Sequence, residues 1–329
     1  MKRLLAPATA LLAIAAIALT GCSASAAGSG DDYPNRPINF SVGSEPGSGW
    51  DATARALVEV IEREDAVPVQ VNVQNRPGAV GCVLLNDMIN RHADADNEIA
   101  MTSVPLQSME LRGQCDVHYT DVTVIARLLI ENFLVAVPAD SEFQDLGALL
   151  DAIAADPQSV PIAASGDDQL PLALLVDAAG GNPSAINFIE FESGGEYLTA
   201  LMNGDVVASV SGVTEYGAQI EAGELQGLAV LSEERLEAPL ADIPTAVELG
   251  YDVTLNNWRG VYGPPNMPDY AVEYWQAKLQ ELLETPSWQE IADRNQWGTA
   301  YLAGDELQTF LDESYAQLQT ALESVGAAG

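Results

Sequence analysis

FSVGSEPGSGWDATAR, residues Phe40–Arg55, decides the reading of this chain. It opens apolar and alternating (Ile38, Phe40, Val42), as a strand does. It breaks at Pro46-Gly47-Ser48-Gly49 and resumes with Ala52, Ala54, Ala56, Leu57, Val60 and Ile61 at helical spacing. The pattern predicts strand, glycine loop, helix. Such a helix start carries backbone N–H groups without intrahelical partners and the positive end of the helix dipole, so it suits an anion. It equally suits an ordinary turn in which Ser48 or Asp51 caps the helix.

Working outward, the first residues read as a targeting segment. Lys2 and Arg3 precede the apolar run Leu4–Leu19, and Leu19-Thr20-Gly21-Cys22 closes it. This ending resembles the lipobox of bacterial lipoproteins, which implies removal of 1–21 and lipidation of Cys22. Residues 22–32 then form a small, polar tether. No other apolar run is long enough to span a bilayer. The remaining two cysteines, Cys82 and Cys115, are read as one disulfide in an exported chain, against the alternative of two buried thiols.

The formal charge is −35, from 48 acids and 13 Lys and Arg, and falls by two more when Lys2 and Arg3 leave. Lys278 is then the only lysine. Phosphate binding needs a basic patch, so nucleic acid is excluded as a partner. Self-repulsion of this size points to a salty medium, where the Debye length shrinks to a few ångströms.

Strand-like and helical stretches alternate along the chain, which predicts an α/β protein with parallel-rich sheets. Val69–Gln74 and Glu98–Thr102 read as strands around a helix over Ala79–Arg91. Two β-like runs, Val122–Leu129 and Asn132–Val137, follow. From Ser141 the rhythm restarts, and Ser165-Gly166-Asp167-Asp168-Gln169 repeats the strand–loop–helix grammar of the anchor. Ser211-Gly212-Val213-Thr214 reads as a strand end, with a short helix over Gln219–Ala222. Thr254–Tyr262 returns as a β-like segment. The end is helical, with a capping box predicted from Ser287 and Glu290.

These residues together resemble the substrate-binding proteins of tripartite tricarboxylate transporters, the Bug family. The resemblance rests on Tyr33-Pro34-Asn35-Arg36-Pro37-Ile38, on Pro46–Asp51 with Arg55, and on Asn75–Gly81. It continues through Gly194–Gly204, Arg235 with Ile243–Gly250, and Asn257-Trp258-Arg259-Gly260, in the family's order over nearly the whole mature chain. It implies a type II-like two-domain periplasmic-binding-protein fold: two mostly parallel-stranded α/β domains with a hinged cleft between them. Domain 1 is expected over 33–135 and 255–329, and domain 2 over 136–254. A monomer is expected, lipid-anchored outside the cytoplasm, that binds a small organic acid such as a di- or tricarboxylate and delivers it to membrane permease subunits. The alternative is a receptor of the same fold feeding a signalling partner.

Carried over residue by residue, the first ligand loop is Gly47, Ser48, Gly49, Trp50 and Asp51. The second is Ser165, Gly166, Asp167, Asp168 and Gln169, and Ser103, Gly195, Ser211 and Gly212 border the cleft. The chain departs from the family pattern at Ser48, Trp50, Cys82 and Asp167-Asp168. The last pair disfavours a carboxylate if both acids face the pocket, so either one is an N-cap or the ligand has a donor or cation on that side. Asp51 is expected to cap its helix, with a water-bridged or amino-group contact as the alternative. Arg55 and Arg259 are expected in structural ion pairs, and Trp258 in the core. His92 and His118 are far apart in polar surroundings, which fits surface roles rather than metal ligation. No cofactor motif, no Gly-x-Ser-x-Gly elbow and no triad pattern is present, so an enzyme such as a secreted hydrolase is not expected.

Overall fold

The computed structural model describes residues 32–164, 166–191 and 194–329. The targeting segment, Cys22 and Ser165 lie outside the described residues. The anchor stretch folds as its pattern dictates. Strand β1 (Ile38–Val42) is buried along nearly its whole length, and helix α1 (Gly49–Arg63) buries Ala54, Leu57, Val60 and Ile61 on one face. Strands β2 (Val71–Asn75) and β3 (Glu98–Ser103) flank β1 in parallel. Helix α2 (Cys82–Arg91) lies between them in sequence. The predicted helix over Ala79–Arg91 is two pieces, because Ala79 and Val80 take left-handed φ of 46° and 53° and close a separate tight turn before α2. Helix α3 (Pro105–Leu111) follows β3 at once, with Pro105 in its first turn.

Strand β4 (Thr123–Pro138) joins the two β-like runs into one 16-residue strand. Ile130-Glu131, which separates the runs in sequence, lies inside it, with Glu131 fully buried. Beyond β4 come α4 (Leu146–Ala155), β5 (Ile162–Ala163), α5 (Gln169–Ala178), β6 (Phe188–Ile189), α6 (Gly194–Asn203), β7 (Ala208–Gly212), α7 (Val213–Glu221) and β8 (Leu225–Val230). The return is β9 (Asn256–Gly263), α8 (Asp269–Leu283), α9 (Pro286–Arg294), β10 (Gly298–Ala303) and α10 (Gly304–Ser324).

Eight strands form one continuous path, β2-β1-β3-β9-β4-β7-β5-β6, and β8 and β10 pair with β4 off it. The sheet is mixed rather than mostly parallel. Each end is parallel (β1 with β2 and β3; β5 with β6 and β7), while β9 and β4 run against their neighbours in the middle. The physical reason is that β4 and β9 are long connecting strands that pass between the two halves side by side. The first part of β4 pairs with β9 and β10 and its last part with β7 and β8.

Two helix starts differ from their prediction. Helix α7 begins at Val213, directly on leaving β7, not at Gln219. The cap of α9 is Thr285, whose hydroxyl accepts from Trp288 N at 3.2 Å; Pro286 at the first helical position fixes that register, and Ser287 bonds Glu64 instead. Apolar faces close over both sides of the sheet. Ile38, Phe40, Leu57, Trp275 and Trp288 share one core, and Leu134, Val213 and Tyr216 another. A third core runs from α2 and α3 through α5 to Leu307, Leu311, Leu318 and Leu322 of α10.

Cys82, at the start of α2, is joined by a disulfide to Cys115, which follows α3. Closing a loop of this sequence separation, 33 residues, removes denatured-state entropy worth about 3–4 kcal/mol. The variant C82S/C115S is expected to lose stability of that order, read as a lower midpoint in urea unfolding with a slope no smaller than the parent's, because the uncrosslinked denatured chain exposes more surface.

Candidate functional site

Between the two halves lies a cavity of about 700 Å³, walled by the strand exits and helix starts of both. From the first half it is lined by Ser48, Gly49, Trp50 and Ser103, and from the second by Gly166, Asp167, Asp168, Ser211 and Gly212. The structure thus brings together nine of the residues singled out from sequence. Gly47, Asp51, Gln169 and Gly195 stand outside the wall. Asp51 is buried beneath it, Gln169 turns its amide to Glu190 at 3.0 Å, and the Gly195 carbonyl accepts from Thr199 within α6. Sequence reading missed the turn Pro77–Val80, Glu190, Glu196, Tyr197, Glu215 and Asn257, which also line the cavity. The Asn75–Gly81 motif signalled the turn; no local pattern signalled Glu215.

The start of α1 is held from within. Ser48 is its N-cap, its hydroxyl accepting from Asp51 N at 3.3 Å. Asp51 therefore sits three residues into the helix and is not the cap. Its carboxylate accepts from Gly47 N and Arg55 Nε, both at 2.9 Å, and from Asn75 Nδ2 at 2.9 Å. Burial opposes its ionisation, but these donors prevail and hold its pKa below the usual carboxylate range. Arg55 is paired structurally, as expected. Trp50 lies over Gly43 and Gly81, where a Cβ at Gly81 would come within 3.0 Å of the indole, and donates Nε1 to Ser103 Oγ at 2.8 Å. Close approach to glycine is what lets so large a ring form part of the wall.

At the cavity floor, Arg259 of β9 pairs with Glu131 of β4, both almost wholly buried. Arg259 Nη1 also donates to the Gly49 carbonyl at 2.7 Å and to Thr53 Oγ1 at 2.6 Å, so it grips α1. Glu131 accepts from the Thr214 N–H at 3.1 Å and from its hydroxyl, so it caps α7 from across the sheet. A side chain at Gly49 would overlap the Arg259 guanidinium, and one at Gly212 would overlap the Glu131 carboxylate. Both glycines are thus spaces reserved for the ion pair.

Of the acids that line the cavity, Asp167, Asp168 and Glu215 lie closest to the second half's strand ends and helix starts. Asp167 is buried, takes the Ser108 hydroxyl at 2.6 Å and has Arg112 Nε at 3.4 Å. Asp168 sits at the cap position of α5 without capping it, and accepts from Ser211 Oγ at 2.8 Å. Glu215, in the first turn of α7, lines the cavity beside them. Burial pushes Asp168 up to about 7, with the charges of Asp167 and Glu131 adding to the rise. Burial likewise pushes Glu215 up to about 8, with Glu131 and Asp168 adding and Arg259 opposing. Among the described residues, no group of three or more His, Cys, Asp or Glu is arranged to hold a metal ion.

Two outcomes follow from this geometry. Glu131→Gln leaves the Arg259 cation buried without its counter-charge and should cost about 3–5 kcal/mol in chemical denaturation, whereas the double variant Glu131→Leu with Arg259→Met should cost less than either single change. Asp168 and Glu215 keep protons in the fold that an unfolded chain releases above about pH 4. Their stabilising contribution is therefore lost as pH rises from there through about 7–8. D168N/E215Q should melt above the wild type at pH 8, and the gap should shrink toward pH 5.

A family model described as "Tripartite tricarboxylate transporter family receptor" matches residues 53–326. BugT of Bordetella pertussis is 26% identical over 283 residues, 84% of this chain and 85% of its own. A TctC solute binding protein from Polaromonas, solved without ligand, is 25% identical, covers 89% of this chain and 99% of its own, and superposes with a TM-score of 0.66. Two Rhodopseudomonas palustris structures share the fold. Rpa4515 with adipate has a TM-score of 0.82 at 18% identity, covering 90% of this chain and 99% of its own. MatC with bound malate has 0.76 at 17% identity, covering 88% and 100%. The cleft between two α/β halves is therefore that of a solute receptor, and the chain belongs to the tripartite tricarboxylate transporter receptor family, whose members are binding proteins and not enzymes.

Proposed function

We propose that this protein captures a small organic acid in the cleft outside the cytoplasm and delivers it to the membrane permease subunits of a tripartite tricarboxylate-type transporter. The observation that carries this reading is the cavity of about 700 Å³, walled by polar strand ends from both halves, in a chain of this receptor family. The adipate and malate bound by relatives of the same fold support an acid as the ligand. The Leu19-Thr20-Gly21-Cys22 ending supports an anchor of lipid on Cys22, with 22–32 as tether. In this reading 33–135 with 255–329 forms one lobe and 136–254 the other, each closing on the ligand about the β4 and β9 crossings as a monomer. Ser48, Gly49, Trp50, Ser103, Gly166, Ser211 and Gly212 are the contacts it assigns on the wall.

Isothermal titration with a panel of organic acids tests it. A saturable heat near micromolar affinity, about −8 kcal/mol, is expected with one class, and the compound should be recovered unchanged by NMR after long incubation. Trp50→Ala should weaken that binding by about tenfold, since it removes a large apolar face from the wall. Turnover of the bound compound, or no binding across the panel, would overturn the receptor reading.

A further inference from the structure

A ring and two hydroxyls on the cavity wall narrow the kind of acid the cleft takes, an inference that rests on the receptor reading above. Trp50 is a large flat side chain held in one place. Its indole lies over Gly43 and Gly81, whose missing side chains leave room for it, and its Nε1 is fixed to Ser103 Oγ at 2.8 Å. The ring is half-buried and lines the cavity. A face pinned in this way gives up little rotamer freedom when a ligand lies on it. From the second half Phe191 also lines the cavity, its ring edge-on to that of Tyr197 at 6.1 Å. Both halves thus bring aromatic surface to one space.

The hydroxyls are a separate observation. Ser103 is 3% exposed, and its oxygen receives the indole N–H, so its own O–H is turned elsewhere. Ser103 lines the cavity, and among the described residues that O–H meets no acceptor. Ser44 and Ser48 share one hydrogen bond at 2.5 Å, and Ser48 Oγ also accepts from Asp51 N. Whichever of the two donates, one O–H of the pair is left over, and both residues line the cavity. A buried donor in a cavity wall without an acceptor calls for one. Arg259, the one base on the wall among the described residues, is already matched by Glu131.

We propose that the cleft takes an aromatic carboxylic acid, its ring laid on the Trp50 indole and its carboxylate receiving the open hydroxyls of Ser103 and of the Ser44–Ser48 pair. The two contacts belong together. Ser103 holds the edge of the indole, so an acid bonded to that hydroxyl has its body beside the ring face. An aromatic pair gains an attraction beyond the area it buries, which a saturated ring of the same size does not. An open-chain acid lacks that contact and also gives up torsional freedom on binding.

Matched pairs separate the flatness of the ring from its bulk: benzoate against cyclohexanecarboxylate, and phenylacetate against cyclohexylacetate, with adipate as the open-chain acid. Each is titrated by calorimetry at neutral pH. The better aromatic acid should bind about tenfold tighter than its saturated partner, and tighter than adipate. Its ring protons should move upfield in NMR spectra on binding, as protons over an indole face do. Trp50→Leu keeps apolar bulk without the flat face, so it should bring the ratio close to one and remove the upfield shift. Ser103→Ala should weaken both members of a pair. Wild-type protein that binds both members of each pair equally, or adipate more tightly than either aromatic acid, would overturn the proposal whether or not the variants fold. A ratio or shift unmoved in folded Trp50→Leu would overturn it too. If none of these acids binds, nor any of the wider panel, the receptor reading falls and this proposal with it.

Discussion

The Arg259–Glu131 pair, buried where β9 and β4 cross, fixes where the two halves of the cleft stand. Arg259 holds the first turn of α1 through the Gly49 carbonyl and Thr53, and Glu131 holds the first turn of α7 through Thr214. One pair of charges thereby sets the distance between two helix starts that are 164 positions apart in the chain, Gly49 and Val213. Taking both ions out of water costs several kcal/mol each, so the pair adds little net stability over an apolar replacement. What it supplies is position. A guanidinium and a carboxylate fit only with their partners in place, and the glycines at 49 and 212 are what make room for them.

That arrangement has an electrostatic consequence. Each helix start offers about half a positive charge and a few N–H donors. In this chain Asp51, in its first turn, answers the charge of α1, and Glu131 answers that of α7. The wall then presents carboxylate oxygens where main-chain donors were expected from sequence. The raised pKa values of Asp168 and Glu215 have the same origin: they are surrounded by protein, close to one another and to Glu131, and Arg259 is already balanced.

What could be read from the sequence was local. The anchor announced β1, the glycine loop and α1 because alternation, Pro46-Gly47 and helical spacing all lie within sixteen residues. Arg55 and Trp258 fall where expected because an arginine one turn from an aspartate has few options, and a large indole on a strand is most often buried. The start of α7 was not legible. Ser211-Gly212-Val213-Thr214 is rich in β-branched and small residues, and it becomes a helix start because Glu131, 83 residues away from Thr214, caps it. Likewise β4 reads as two runs because the charge of Glu131 interrupts it, and its partner Arg259 makes that charge tolerable at that depth. Glu215 falls into view only once α7 is known to begin at Val213. These three share one cause: each depends on the ion pair, and neither of its members is near the other in sequence.

The position of that pair also constrains how the cleft can move. Arg259 lies on β9 against Leu129 of β4, and Trp258 against Ile130, so the charges sit on the crossing strands themselves. A rotation of one half against the other about those strands leaves the floor, with Gly49, Gly212 and the ion pair, close to the axis. Displacement grows with distance from it, and the largest changes fall on the rim, where Val80 of the first half stands beside Gly166 of the second. Val80 is 47% exposed there, an apolar side chain held outward by the left-handed turn before α2, and the Cys82–Cys115 bond ties that turn's end to the segment after α3. The floor is therefore built from buried charge, which tolerates little displacement. The rim is built from an apolar side chain and glycine, which can meet and part without breaking a polar contact. Rigidity at the axis and loose contact at the edge are what a hinged binding cleft requires of its two ends.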